Sequence, residues 1–257
     1  MTYNQLNAHT RDLLIEFDEE RHEYFHGGQR LKSVTTLVEE CFPKFDAEYW
    51  SRRKAPSMGM TPEQLRQKWE DDARRSRDLG TEMHAKIENY YLGNDAGDDG
   101  DAYRLFRMFA AKNHLCPFRT EWRIFHEDYA VAGTLDFLER TPDGTFNIYD
   151  WKRSKKLVDA WGNIEKENRW HSTALPPVAH LSDTSFYHYA LQLSIYRFIL
   201  SQKYGISVSR MRLGVFHPSY STYFVVDVPY LCNEVEAILN LHLTNHKNSL
   251  TKHHILC

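Results

Sequence analysis

The sequence predicts an α/β fold with a central mixed sheet flanked by helices and an N-terminal β-hairpin ahead of it. Segments of alternating apolar and polar residues at 121–125, 129–139 and 146–151, and again at 208–216 and 223–228, read as strands. Charged or amphipathic runs of helical period at 62–92, 102–114, 187–204 and 230–246 read as helices, and strands on both sides of a helix make a layered α/β arrangement. With 257 residues, 42% of them hydrophobic, the chain is long enough for one large domain with a proper core.

The elements follow from local chemistry. Residues 13–18 and 23–25 flank a polar turn and lead to His26-Gly27-Gly28-Gln29, which gives the hairpin of an extension spanning residues 1–32. Thr61-Pro62-Glu63 is a helix start, because proline lacks only an N–H that the first turn leaves unpaired. The run from Gly93 to Gly100, with Asp95, Asp98 and Asp99, then Asp101, reads as a solvated loop; it lacks the closing glutamate of a calcium-binding EF-hand loop. Thr141-Pro142-Asp143-Gly144 is a tight reversal between two strands. Residues 161–184 contain Pro176-Pro177 and little periodicity, and a loop of that length inside a compact domain is commonly functional, here as a cover for the substrate strand. The core extends over 33–246, and 247–257 form a flexible tail. His242, His246, His253, His254 and Cys257 near that end read as a solvated terminus.

Charge and cysteine usage narrow the class. The net charge of −3 argues against a chain that coats nucleic acid by bulk charge. The first 50 residues hold five basic and ten acidic side chains, so the remaining 207 hold 27 basic and 25 acidic. Arg52-Arg53-Lys54, Arg74, Arg75 and Arg77, and the Lys152-Arg153-x-Lys155-Lys156 run are local clusters of the kind that phosphate backbones bind. Cys41, Cys116, Cys232 and Cys257 form no Cys-x-x-Cys pair, which suits neither zinc nor a disulfide framework. No stretch approaches the ~20 apolar residues of a membrane helix. The first residues lack a secretory signal, so the expectation is an intracellular protein of cytoplasm, nucleus or a virus- or phage-infected cell, not a secreted one.

The chemistry concentrates between Asp136 and Lys152. Side chains alternate along a strand, so Asp150 and Lys152 project together and Trp151 projects away; the reversal at 141–144 brings Asp136 level with Asp150. Two carboxylates beside one ammonium suit phosphodiester hydrolysis, in which a hard cation takes oxygen ligands and a lysine orients the nucleophile or offsets developing charge. Such acids would repel one another without a cation, which points to Mg²⁺ or Mn²⁺. Ser33 or Thr35 opens a short helix and serves as its cap or as a phosphate contact. Gly80 lies one helical turn from His84 and leaves space beside the imidazole. Gln192 and Tyr196 share a helix face, and an amide there can donate to phosphate. Trp151, Trp161, Trp170, Phe186, Tyr187 and Tyr189 are candidates for stacking unpaired bases.

Taken together, Asp136 with Asp150-Trp151-Lys152, Gly80-Thr81-Glu82-Met83-His84, Gln192-Leu193-Ser194-Ile195-Tyr196 and Ser33-Val34-Thr35, in that relation along the chain, resemble the PD-(D/E)XK nuclease superfamily. The resemblance is to its RecB-like exonuclease branch, which includes the mitochondrial genome maintenance exonucleases. Leu135 stands where the proline of the motif name would be. The resemblance implies a restriction-endonuclease-like core, His84 as a metal ligand with Asp136 and Asp150, Lys152 as the catalytic amine, Glu121 as an accessory acid, and Ser33, Thr35, Arg153, Lys155, Gln192 and Tyr196 as DNA contacts. It implies no iron–sulfur cluster, because the cysteines are not clustered as in the relatives that bind one. The implied activity is metal-dependent DNA exonuclease action at single-stranded ends. The same residues would serve a structure-specific or flap endonuclease on branched or double-stranded DNA, and the same fold serves nucleic-acid binding without catalysis. No Gly-x-x-x-x-Gly-Lys-Ser/Thr loop occurs, so unwinding would come from a separate helicase or a replication or repair factor.

Overall fold

In the computed structural model, which describes residues 1–94, 97 and 100–254 and side chains through Lys247, the strands make one mixed sheet with helices on both faces. The chain begins with a four-residue helix α1 (Tyr3–Leu6) and a 3-10 turn (Thr10–Leu14). Strands β1 (Glu16–Asp18), β2 (Glu23–His26) and β3 (Gln29–Ser33) then form an antiparallel meander. The antiparallel strands expected ahead of the core are β1 and β2, and β3 joins them to it by pairing in parallel with a central strand through Lys32 and Ser33, where Leu31 and Tyr24 are buried with Ala132.

Helices α2 (Val34–Glu39), α3 (Ala47–Lys54), α4 (Pro62–Tyr91) and α5 (Asp101–Lys112) follow. Thr61 starts α4 with a reciprocal cap: its hydroxyl accepts from Gln64 N–H, and the Gln64 side chain accepts from Thr61 N–H. Of its 30 residues only Leu65, Met83 and Ile87 are buried. Its first turns pack on α3 through Leu65 and Arg66, the charged middle faces solvent, and the last turns dock on the sheet beside α5. Asp95, Asp98 and Asp99 of the acidic loop lie outside the described residues.

Strands β4 (Pro117–His126), β5 (Val131–Arg140) and β6 (Phe146–Lys152) form the expected antiparallel group. Helix α6 (Ser185–Lys203), strands β7 (Val208–Val215) and β8 (Phe224–Val228), and helix α7 (Cys232–His254) complete the chain. β7 lies parallel to β6 and antiparallel to β8. α7 runs on to His254, past the end at about residue 246 that the sequence suggested, since nothing in Lys247 to His254 is a helix breaker. The His253 and His254 side chains and Cys257 lie outside the described residues. The segment 161–184 is not a loose loop: bridges at Val158–Ile164 and Thr173–Ser182 and the buried Ala174, Val178 and Leu181 tie it to the body.

One face of the sheet packs on α6 and α2 through Leu135, Leu138, Ile148, Leu191 and Ile195. The other packs on α4 and α5 through an aromatic cluster of Phe106, Phe109, Phe137, Tyr149, Trp151 and Phe216. Each such ring, fully buried, contributes roughly 1.5–3 kcal/mol. No helix among the described residues is long and apolar enough to cross a membrane.

Candidate metal centre

The site is made by a fork in the sheet. β4 pairs along one edge of β5 from Val131 to Glu139, so β3 and β6 both use the other edge, β3 at Val131 and Ala132 and β6 from Phe137 onward. Past Tyr149, β6 leaves β5 and pairs only with β7, Asp150 with Leu213, Trp151 with Gly214 and Lys152 with Val215. The stretch Gly133 to Asp136 is thus left open on that edge. Trp151 would have continued the ladder. Instead its N–H donates to Asp136 Oδ2 at 2.8 Å, and its C=O accepts from His84 Nε2 at 2.7 Å. Side chains replace the missing strand, which satisfies backbone groups that could not be left bare.

The hydrogen bond to Trp151 decides the histidine's tautomer. A carbonyl only accepts, so Nε2 carries the proton and Nδ1 faces the acids, 3.6 Å from Asp136 Oδ2 and 3.7 Å from Glu121 Oε1. An imidazole whose far N–H is anchored on a carbonyl and whose near nitrogen points at carboxylates is the arrangement of a metal-ligating histidine. Ligand atoms of His84, Glu121 and Asp136 all lie within 4.8 Å of one another. The β4–β5 register, Thr120 with Phe137 and Trp122 with Leu135, sets Glu121 across from Asp136, and the β5–β6 ladder ends at Phe137 with Tyr149, one residue short of Asp136 and Asp150. Glu121 and Asp136 therefore stand side by side on adjoining strands with His84 of α4 at their oxygens, and Asp150 follows on β6 where it has parted from β5.

Asp150 is turned toward the amine. Its Oδ2 lies 2.6 Å from Lys152 Nζ, so the two form a buried ion pair. Lys152 Nζ also sits 4.5 Å above the centre of the Tyr189 ring. Burial pushes the Asp150 carboxyl up to about 6, opposed by Lys152 and reinforced by Asp136. Burial likewise raises Asp136. For His84, burial alone would lower the pKa, but Asp136 and Glu121 outweigh it and carry it to about 9. Burial would also lower Lys152; Asp150, Tyr189 and Asp136 overcome it, so the amine stays an ammonium. Buried acids held up in this way, Asp136 at the Nδ1 side of His84 and Asp150 beside it, fit a divalent cation as a further partner. His84, Glu121 and Asp136 could hold it, with Asp150 adjoining.

The other expected residues divide. Arg153, half-buried, and Lys155, exposed, follow the strand and have no acidic partner among the described residues; together with burial they depress His217. Ser33 is spent as the cap of α2, accepting from Thr36 N–H at 3.0 Å, and Thr35 is exposed on that six-residue helix. Neither is committed to a phosphate. Tyr196, expected as a DNA contact, is 2% exposed, because its ring packs on Gly133, where a Cβ would come within 2.7 Å of it. Gln192 is half-buried and donates to the Tyr196 hydroxyl at 3.2 Å. Trp151 and Phe186 are core residues, not stacking platforms; Trp161 and Trp170 are exposed. A Cβ at Gly80 would meet nothing within 4 Å. Three partners of the site carry no motif: Tyr189, named only for stacking, lies under the amine, and Tyr24 hydroxyl meets Thr134 Oγ1 at 2.9 Å in the open stretch of β5. The third is the Trp151 backbone.

No family model and no curated protein matches the chain. Among solved structures it is similar to one described as "Crystal structure of SSO0001", at 14% identity over 82% of this chain and 74% of that chain, with a TM-score of 0.37. A likeness that slight bears on neither ancestry nor activity.

Proposed function

We propose that the protein is a Mg²⁺- or Mn²⁺-dependent DNA nuclease of the PD-(D/E)XK superfamily, with a restriction-endonuclease-like core and the character of the RecB-like exonucleases. The observation that carries this reading is the convergence of His84, Glu121 and Asp136 within ligand distance of one another, next to an Asp150–Lys152 ion pair, at a fork between strands. A structural site would not gather three acids where two are buried.

When bound, the ion supplies a Lewis acid for the phosphoryl oxygen and activates water. The chain's own groups do the rest. His84 is fixed by Trp151 C=O and offers Nδ1. Asp136 is fixed by Trp151 N–H, so ligand geometry does not depend on side-chain freedom. Lys152, held as an ammonium by Asp150, offsets the negative charge that grows on the phosphate in the transition state. Arg153 and Lys155 flank it and hold the neighbouring phosphates.

Degradation of single-stranded ends is the leading activity; an endonuclease cutting flaps or branched DNA would use the same groups. End-labelled linear single strands against closed circles, with Mn²⁺ and with EDTA, test this. Linear DNA is expected to be degraded only with the metal, and the circle to survive. Cleavage of the circle makes the protein an endonuclease, and survival of both substrates with metal present removes the nuclease reading.

A further inference from the structure

A cavity of about 710 Å³ opens between the 157–184 segment and the start of α6, beside the proposed catalytic amine. That volume is within the range of ~300–1,000 Å³ that small-molecule pockets occupy. Tyr189 lines it and also lies under Lys152, so its wall is continuous with the reacting centre. Trp170, 73% exposed, forms part of the rim, with the Arg169 guanidinium 5.7 Å from its ring centre. Its ring neighbour is Trp50, tilted at 6.4 Å between centroids, and most of the indole stays bare. It offers a flat surface to a second ring.

The polar lining indicates which part of a nucleotide enters. Glu165 and Glu167 line the cavity, and carboxylates repel phosphate but accept from the exocyclic amines of bases. Thr184 also lines it, with a buried hydroxyl that lacks any partner. Lys156 and Arg169 line it as well, so the cavity offers cations to the phosphate that carries the base beside the acceptors for the base itself.

We propose that the cavity receives the unpaired nucleobase next to the scissile phosphate, stacked on Trp170, and so makes the enzyme selective for single-stranded DNA. This deepens the nuclease reading and rests on it. A base still paired in a duplex cannot enter, so selectivity arises from access, not from sequence.

The test is the anisotropy of a short fluorescein-labelled single strand and of its duplex, each titrated with full-length protein in EDTA, with melting curves to check folding. Trp170→Ala is expected to weaken single-strand binding at least about fivefold and leave duplex binding unchanged, from the usual worth of one base stack. Trp170→Phe should retain most of the affinity, and Trp161→Ala, more exposed still but outside the cavity, should change neither. Unaltered single-strand binding by Trp170→Ala, or equal loss for both substrates, overturns the proposal. Parallel assays of wild-type cleavage with Mn²⁺ separate the two readings. Cleavage combined with unaltered Trp170→Ala binding removes only the role of the cavity, whereas absence of any cleavage removes the nuclease and the cavity's role together.

Discussion

Glu121 holds φ +44, a left-handed conformation that costs a residue with a side chain roughly 1 kcal/mol or more. It also faces Asp136 across the β4–β5 ladder, where like charges repel. Strain and repulsion coincide at one residue 3.7 Å from His84 Nδ1, which a cation would offset and a purely structural role would not need. Glu121→Gly removes both penalties. Urea unfolding in EDTA is expected to show a gain of about 1 kcal/mol, while Mn²⁺ affinity falls; a less stable variant with intact Mn²⁺ binding would make Glu121 structural. Lys152 is a different case, since it compensates acids without holding metal. Lys152→Ala should slow DNA hydrolysis about 100-fold or more and keep Mn²⁺ binding measurable. Hydrolysis at the wild-type rate would remove it from the chemistry.

The fork between β5 and β6 is the element on which these residues depend, and Gly214 keeps it in shape. A Cβ there would come within 2.7 Å of Trp151 Cε3, and Trp151 carries the backbone groups that Asp136 and His84 grip. Gly214→Ala is therefore expected to cost about 1–3 kcal/mol in thermal or urea unfolding and to depress activity beyond that loss of stability. Wild-type stability and rate would show that Trp151 can shift freely. The strands and helices that carry the site were legible in the sequence. Thr61-Pro62 fixed the start of α4 by its cap, and the Pro-Asp-Gly turn joins β5 to β6 in a ladder that ends at Phe137 with Tyr149. The fork was not, because a ladder's end is decided by three strands competing for two edges. Tyr196 was misread for a related reason: helical spacing places it on a face, and only the close approach of Gly133 tells that the face is buried. Ser33 carried both the cap and the phosphate readings, and the short helix after it uses the hydroxyl as a cap.

For the whole molecule, the N-terminal segment acts as a strap along β4, the strand that bears Glu121. Asn4 bonds to both backbone groups of Thr120, Asn7 donates to Phe118 C=O, and Asp12 accepts from Arg119 at 2.8 Å and Trp122 Nε1 at 2.7 Å. Such amide contacts follow no periodicity, so the sequence suggested only a hairpin here. Burial would raise Asp12, but Arg119, His9 N–H and Trp122 outweigh it and the net shift is down. The unfolded chain then protonates before the folded one, so this stabilisation is whole above the ordinary carboxylate range and is lost as pH falls through the depressed value. Asp12→Asn should cost about 2 kcal/mol at neutral pH and flatten the acid limb of a stability profile; an unchanged limb would locate the acid sensitivity elsewhere.

All of the chemistry proposed here requires that the acids and imidazole at the fork hold a divalent ion. Calorimetric titration of the wild-type protein, Asp136→Asn and His84→Ala with Mn²⁺ measures this without substrate. Saturable binding by the wild type that weakens strongly in both variants is expected; absence of binding, or binding that neither substitution alters, would contradict it.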